Sequence, residues 1–190
     1  MKDNRCPWVK PTNPLYVTYH DQEWGVPSFD ELHLFEMLCL EGAQAGLSWE
    51  TILNKREAYR KLFYQFNPEK MAKMTDKQLE KILLNPSIIR NRLKVYGFRK
   101  NAQAYLKMKK EGLTLSEFLW SHVDHRPLQN KIKTMKEIKT KTEISDEISK
   151  KLKKMGFTFV GPTIIYAYMQ AIGMVNTHLI TCPRHKAVRS

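Results

Sequence analysis

The chain has 190 residues, 42% of them hydrophobic, enough for one buried core and too apolar for disorder. It carries 32 basic and 19 acidic side chains, and a net charge of +13 points to a polyanionic partner, nucleic acid first. The start MKDNRCPWV has no apolar signal segment, no apolar run approaches the roughly 20 residues of a membrane span, and three cysteines make no disulfide framework. A cytoplasmic monomer without membrane contact is expected.

Helix signals recur along the chain and strand signals barely appear, which predicts an all-α fold. Asp30 caps a helix carrying Leu34, Phe35, Leu38 and Cys39 on one side. Ser48 caps the next, which runs through Ile52, Leu53, Tyr59, Leu62 and Phe63. Asn67-Pro68 and Asn85-Pro86 each set a cap residue before a proline at the first helical position. Thr75 with Gln78, and Thr114 with Glu117, have capping-box spacing. The helix after Pro86 runs to about Lys110, with a kink at Gly97 and Gly112 just past its end.

Residues 124–142, DHRPLQNKIKTMKEIKTKT, are polar, lysine-rich and weakly periodic. They read as a long surface loop or a poorly ordered connection. Ser145 then caps a helix to Met155, Gly156 ends it, and Pro162 opens a second that stops at Gly173. No fixed repeat or βαβ alternation divides the chain. Residues 1–190 form a single domain of one or two helical lobes.

Three constellations carry chemistry. The first is the pair of helices over 145–173 with the glycine-bounded connection GFTFVG. Backbone N–H groups beside a helix start suit a phosphate, and Lys153 and Lys154 add cations next to Gly156 and Gly161. The alternative is an ordinary helical hairpin whose glycines only make the turn. The second is Cys6 and His20 near one end with His178 and Cys182 near the other. His-x3-Cys puts two ligands on one face of a helical turn, and two thiolates with two imidazoles make a closed tetrahedral zinc set. The alternative is four unrelated residues. The third is aromatic: Trp8, Tyr16, Tyr19, Trp24 and Trp49 surround Glu41 in the first quarter of the chain. Together they describe a pocket for a flat, electron-poor ring, whose amine a carboxylate would accept. Taken singly, each aromatic is an ordinary core residue, and Glu41 a cap of the Gly42–Ser48 turn.

These residues stand in stretches that carry a resemblance over essentially the whole chain. RCPWV, YHDQEWGVP, LFEMLCLEGAQAGLSWETILNKREAY, SIIRNRLKV, SKKLKKMGFTFVG, YAYMQAIGMVN and HLITC occur in this order. The sequence resembles the 3-methyladenine DNA glycosylase I family of bacterial alkylation-repair enzymes. The resemblance implies a helix-hairpin-helix glycosylase fold in which a structural zinc ion, one per chain, joins the two ends through Cys6, His20, His178 and Cys182. It implies release of 3-methyladenine from double-stranded alkylated DNA, with Glu41 and Tyr19 central to the reaction, Tyr16, Trp49 and Trp8 lining the base pocket, and Gly46-Leu47 entering the duplex beside the flipped nucleotide. One departure is local: Thr177 stands where the family often has Asp before the second histidine ligand.

No Asp or Glu follows Glu147, and Pro162 to Thr177 contains neither Asp nor Lys. A lysine Schiff base and strand cleavage are therefore not expected. Two rival readings stay open at this stage: a zinc-stapled DNA-binding module without catalysis, and a glycosylase for another alkylated purine such as 3-methylguanine.

Overall fold

Capping side chains set most of the helix starts, as their local spacing demands. The computed structural model describes residues 4–188. Helix α1 (Pro14–Gln22) begins at Asn13, whose side chain accepts from the Tyr16 N–H. Helix α2 (Glu31–Gln44) begins at Asp30, as expected. Ser48 caps α3 (Trp49–Leu53), but the chain breaks there and resumes as α4 (Arg56–Leu62), so the single helix expected to Phe63 is two. Asn67 and Thr75 cap α5 (Pro68–Ala72) and α6 (Asp76–Leu83), the latter with a full capping box.

Two expected starts move. Asn85 opens no helix: its Oδ1 accepts from the Ser87 N–H at 2.9 Å and the Ser87 hydroxyl at 2.6 Å, a local turn. Asn91 caps the long helix α7 (Arg92–Lys110) instead. Thr114 caps α8 (Leu115–Trp120). Thr142, not Ser145, caps α9 (Glu143–Lys154), and Ser145 sits at its third position to complete the box. Gly161 and Pro162 open α10 (Pro162–Ala171), and α11 (Arg184–Ala187) is the last helix of the described residues.

The lysine-rich segment 124–142 is largely exposed, but it is tied down. Its short strand β1 (Leu128–Gln129) pairs in parallel with β2 (Val175–Asn176), Leu128 opposite Val175. Beyond them Ile132 bridges to Leu179, and His185 Nε2 lies 2.8 Å from the Asn130 carbonyl. The segment thus straps the stretch that holds His178 and Cys182.

Helix α2 runs through the centre, packed on α3, α7, α8 and α10. Every residue from Leu34 to Ala43 is buried, Cys39 among them. Two of these are acidic. Glu36 is met by Arg56 at 2.5 Å and Arg60 at 2.9 Å, and Arg56 also reaches Glu23 at 2.7 Å. Such a paired carboxylate is tolerated in a core, and removing one partner typically costs about 3–5 kcal/mol. Glu41, the other, is part of the site described below.

The connection between α9 and α10 is seated by Phe159, which holds a left-handed backbone (φ +57). Asn101 of α7 accepts from the Thr158 N–H at 2.8 Å and donates to the Thr158 carbonyl at 3.1 Å. Ser149 donates to the Val160 carbonyl at 2.6 Å. Gly97 lies inside the continuous helix α7 rather than at a kink. Its role is to leave room: a Cβ there would stand 3.1 Å from the Phe159 ring. Gly42 of α2 meets the same residue from the other side, and a Cβ there would stand 3.0 Å from Phe159 Cβ and 3.3 Å from its carbonyl oxygen.

Replacing Gly42 by Ala gains about 1 kcal/mol of helix propensity but overpacks against backbone that cannot swing away, typically a loss of about 1–3 kcal/mol. The overpacking wins. Gly42→Ala is expected to lower stability by about 1–2 kcal/mol in urea unfolding, and an equal or higher midpoint would show that the Phe159 seat yields.

Candidate active site and metal centre

Helix α1 delivers Tyr16 and Tyr19 from successive turns, and the chain beyond it returns Trp24. Helix α2 adds Glu41 and Gln44, α3 adds Trp49 at its first position, and α10 adds Ala167 and Gln170. With Trp8 these residues line a cavity of about 150 Å³. All five pocket residues expected from the sequence, Trp8, Tyr16, Tyr19, Glu41 and Trp49, are therefore brought together. The rings stand apart as walls: Trp8 to Tyr16 is 5.2 Å between centroids, Tyr19 to Trp49 is 5.2 Å, and Trp8 to Trp24 is 4.9 Å.

Glu41 is 4% exposed. Burial pushes its carboxyl up to about 8 from an ordinary 4.5, with no cation or hydrogen-bond donor among the described residues offsetting it. Its neighbour Tyr19 is also shifted upward, first by burial and then by the Glu41 charge. A buried carboxyl without a partner is costly to the fold, so Glu41 is not a satisfied helix cap.

The pocket opens onto a second, wider space of about 300 Å³ between the end of α2 and the start of α10. Gly46 and Leu47 line it with Glu41, Gln44, Ala45, Thr163, Ile164 and Ala167. Leu47 remains 38% exposed, and Gly46 is left-handed (φ +77) with open space where a Cβ would be. Gln44 borders both spaces. The sequence singled out neither Gln44 nor Gln170.

The connection between α9 and α10 lies outside these two spaces. Lys153 and Lys154 are exposed at the end of α9. Lys154 faces a groove shared with Lys107, Met108, Glu111, Lys151 and Met155. Gly156 is left-handed (φ +97), while Gly161 caps α10 with φ −63.

Cys6, His20, His178 and Cys182 meet in one buried cluster, their ligand atoms all within 4.8 Å of one another. Cys182 Sγ lies 3.5 Å from His20 Nε2 and 3.6 Å from His178 Nδ1, and Cys6 Sγ lies 3.6 Å from the same His178 nitrogen. Each imidazole turns its other nitrogen outward to an acceptor. His20 Nδ1 is 2.8 Å from Asp21 Oδ1, and His178 Nε2 is 3.2 Å from the Trp24 carbonyl. Those contacts fix which nitrogen faces inward. Arg5 grips Asp21 through Nε and Nη2 at 2.8–3.0 Å and holds its carboxyl at about 2. Hydrogen bonding to Cys6, then to the two histidines, holds the Cys182 thiol far below the usual thiol range; the same neighbour raises Cys6. Two buried thiols beside two oriented imidazoles, with hydrogen bonding that favours ionisation of Cys182, are a donor set for a metal cation. Thr177 is buried beside His178, and its hydroxyl has no hydrogen-bond partner among the described residues.

Comparison with known proteins agrees with this geometry. The model of the methyladenine glycosylase family matches residues 8–185. The DNA-3-methyladenine glycosylase of Haemophilus influenzae is 51% identical, over 94% of this chain and 96% of that protein. DNA-3-methyladenine glycosylase 1 of Escherichia coli is 51% identical, over 94% of this chain and 95% of that protein. A crystal structure of 3-methyladenine DNA glycosylase I superposes with a TM-score of 0.92 at 49% identity, covering 94% of this chain and 98% of the other. A Staphylococcus aureus structure described as the basis of 3-methyladenine recognition by that enzyme superposes with a TM-score of 0.91 at 38% identity, covering 95% of each chain. On sequence and fold together, the chain belongs to the methyladenine glycosylase family.

Proposed function

We infer that this protein is a DNA-3-methyladenine glycosylase, which hydrolyses the N-glycosidic bond of 3-methyladenine in alkylated DNA and so begins base excision repair. The observation that carries the reading is the aromatic pocket closed at its base by an unpaired, buried carboxyl. Methylation at N3 leaves the adenine ring cationic in DNA. Aromatic faces attract such a ring, by up to about 2 kcal/mol when desolvated, and do not favour neutral adenine in the same way.

Glu41 is the recognition group, accepting hydrogen bonds from the amine edge of the base, and Tyr19 orients that edge. Burial favours the neutral carboxyl when no cation is beside it. A cationic base beside it favours the carboxylate, so the proton leaves as the lesion enters. The carboxylate then pairs with the positive charge of the base. The C1′–N9 bond breaks, its electron pair neutralises the base, water supplies hydroxyl to C1′, and the remaining proton goes to solvent. The leaving base is already activated, so the chemistry needs no strong general acid and no covalent lysine intermediate. Tyr16, Trp8 and Trp49 are the walls that hold the ring.

Gly46-Leu47 enters double-stranded DNA from the outer space and takes the room of the flipped nucleotide. Flipping costs a few kcal/mol, and stacking in the pocket returns about 1–3. The two helices α9 and α10 form a helix-hairpin-helix unit, in which backbone N–H groups of Gly156 to Gly161, with Lys153 and Lys154, hold the phosphates. Such contacts carry no sequence information. One protein molecule meets one lesion, and a monomer suffices.

The metal is zinc. Zn–S of about 2.3 Å and Zn–N of about 2.05 Å at tetrahedral angles place sulfur and nitrogen about 3.6 Å apart. Three of the four sulfur–nitrogen separations in the cluster are 3.5, 3.6 and 3.6 Å, and the fourth, Cys6 to His20, is within 4.8 Å. Bound by Cys6, His20, His178 and Cys182, the ion would have no open position, so it would join the two ends of the chain and activate no water.

Incubation with alkylated duplex DNA should release 3-methyladenine and leave an unbroken abasic strand; release of a different base, or none, overturns the assignment. Protein purified without added metal should contain one zinc per chain by elemental analysis. Glu41→Gln places a donor against the amine edge of the base. It should weaken binding of free 3-methyladenine by about 1–3 kcal/mol, read by calorimetry.

The same variant has a pH signature. An acid whose folded pKa lies above its unfolded value binds more protons when folded, so its stability contribution is full below about 4.5 and lost as pH rises towards about 8. Wild type should therefore lose ground to Glu41→Gln between pH 5 and 8, by about 1.4 kcal/mol per unit at most. Parallel unfolding curves at the two pH values would mean that the carboxyl is solvated or paired in solution.

A further inference from the structure

The turn after α2 carries Gly46 and Leu47, and it is held locally by the Leu47 N–H donating to the Gln44 carbonyl at 2.6 Å and by Ser48 capping α3. Gly46 has a left-handed backbone, and residues 46–48 are exposed. A further restraint comes from another helix. Lys94 sits in the first turn of α7 and is only 8% exposed. Its Nζ donates to the Ala43 carbonyl at 2.8 Å and to the Ala45 carbonyl at 2.6 Å.

These two carbonyls flank Gln44, the residue that borders both the base pocket and the outer space. They belong to the end of α2, where carbonyls lack intrahelical partners and the helix dipole is negative. Ala43 is fully buried, so its carbonyl depends on a protein donor, while the Ala45 carbonyl lies nearer the surface. A cation brought 49 positions along the chain does something water cannot: it fixes the direction in which the chain leaves α2. The position of Lys94 is itself well determined. Asn91 Oδ1 caps its N–H at 3.1 Å, and one turn on, Gly97 abuts Phe159, which abuts Gly42 of α2. Helix α7, the hairpin and the end of α2 are thus locked in one contact, with the ammonium at its rim.

We propose that Lys94 is a positioning residue for excision: by tying Ala43 and Ala45 it preorganises the Gly46–Leu47 turn to enter the duplex. The proposal rests on the reading of that turn as the element that fills the gap beside the flipped nucleotide. Lys94 touches neither base nor sugar. Its contribution is to geometry, and small misplacements of such elements cost catalysis far more than binding.

The test compares Lys94→Met, which keeps the buried stem and removes the donors, with Leu47→Ala. Four quantities are read: kcat and KM on duplex containing 3-methyladenine, affinity for the free base, the salt slope of DNA binding, and melting temperature. Lys94→Met should lower kcat on duplex by about tenfold or more, with base affinity and the salt slope within about twofold of wild type. Leu47→Ala should lower the same kcat. If Leu47→Ala excises normally, the turn is not the wedge, and that reading fails first. If Leu47→Ala is impaired and Lys94→Met is not, the wedge stands and the proposal for Lys94 falls. A flattened salt slope in Lys94→Met would make the lysine a phosphate contact, and a parallel loss of base affinity would make it a pocket residue; either overturns the proposal. Failure of both Lys94→Met and the milder Lys94→Gln to fold would make it a structural residue, with the same consequence.

Discussion

The burial of α2 is the constraint on which everything else hangs. Ten consecutive residues, Leu34 to Ala43, are covered on every side, which few helices require. Covering them takes α3, α7, α8 and α10, so these four helices are arranged around this one. Most of its face is apolar, and burial of such side chains contributes about 1.5–3 kcal/mol each. Two carboxyls interrupt it and are treated differently. Glu36 is neutralised by Arg56 and Arg60. Glu41 is left without a cation among the described residues. The fold bears the cost of the second because the helix is so heavily buried elsewhere. Stability drawn from the length of α2 is set against an uncomfortable group near its end, which is the arrangement expected where a ligand will supply the missing partner.

The metal cluster and the base pocket share walls. Trp8 lies two residues from Cys6, and Trp24 lies four from His20. The His20 ring is 5.2 Å from Trp8 and the His178 ring is 4.5 Å from Trp24. Gly25 is left-handed (φ +78), and His178 also occupies the space of a Cβ there, 2.9 Å away at Nε2. The donor set therefore sits directly behind the indoles that face the pocket. Joining the ends of the chain and shaping the pocket are one structural task, carried out by adjoining side chains.

Features decided within four or five residues were legible in the sequence, and features decided by distant partners were not. Asp30, Ser48, Asn67, Thr75 and Thr114 cap where their spacing puts them, because the donor is three residues on. Asn85 misleads because asparagine serves an N-cap and a local turn equally well, and Ser87 captured it first. Ser145 was read as the cap, when the residue three before it completes the same box. Gly97 reads as a kink or a close contact with equal right, and only Phe159 decides. Nothing local distinguishes Lys94 from the other lysines; two carbonyls about fifty residues earlier make it a buried one. The cluster of two cysteines and two histidines was legible from ligand type, and the pocket from the crowding of aromatics around one acid. The residues that tune those sites, Asp21, Gln44 and Gln170, gave no signal of their own.

The ring formed by the cluster has a consequence in time. Cys6 meets His178 across 172 positions of chain, and Leu128 pairs with Val175 in the strap beside it. Contacts of that separation are the last that a chain can close, and during synthesis they wait for the later partner to be made. Helices α2 to α10 can pack before then, since their contacts need nothing beyond residue 171. Trp8 and Trp24 cannot be backed until His178 arrives. The indole walls of the pocket therefore gain their backing only once the last-made part of the chain is in place.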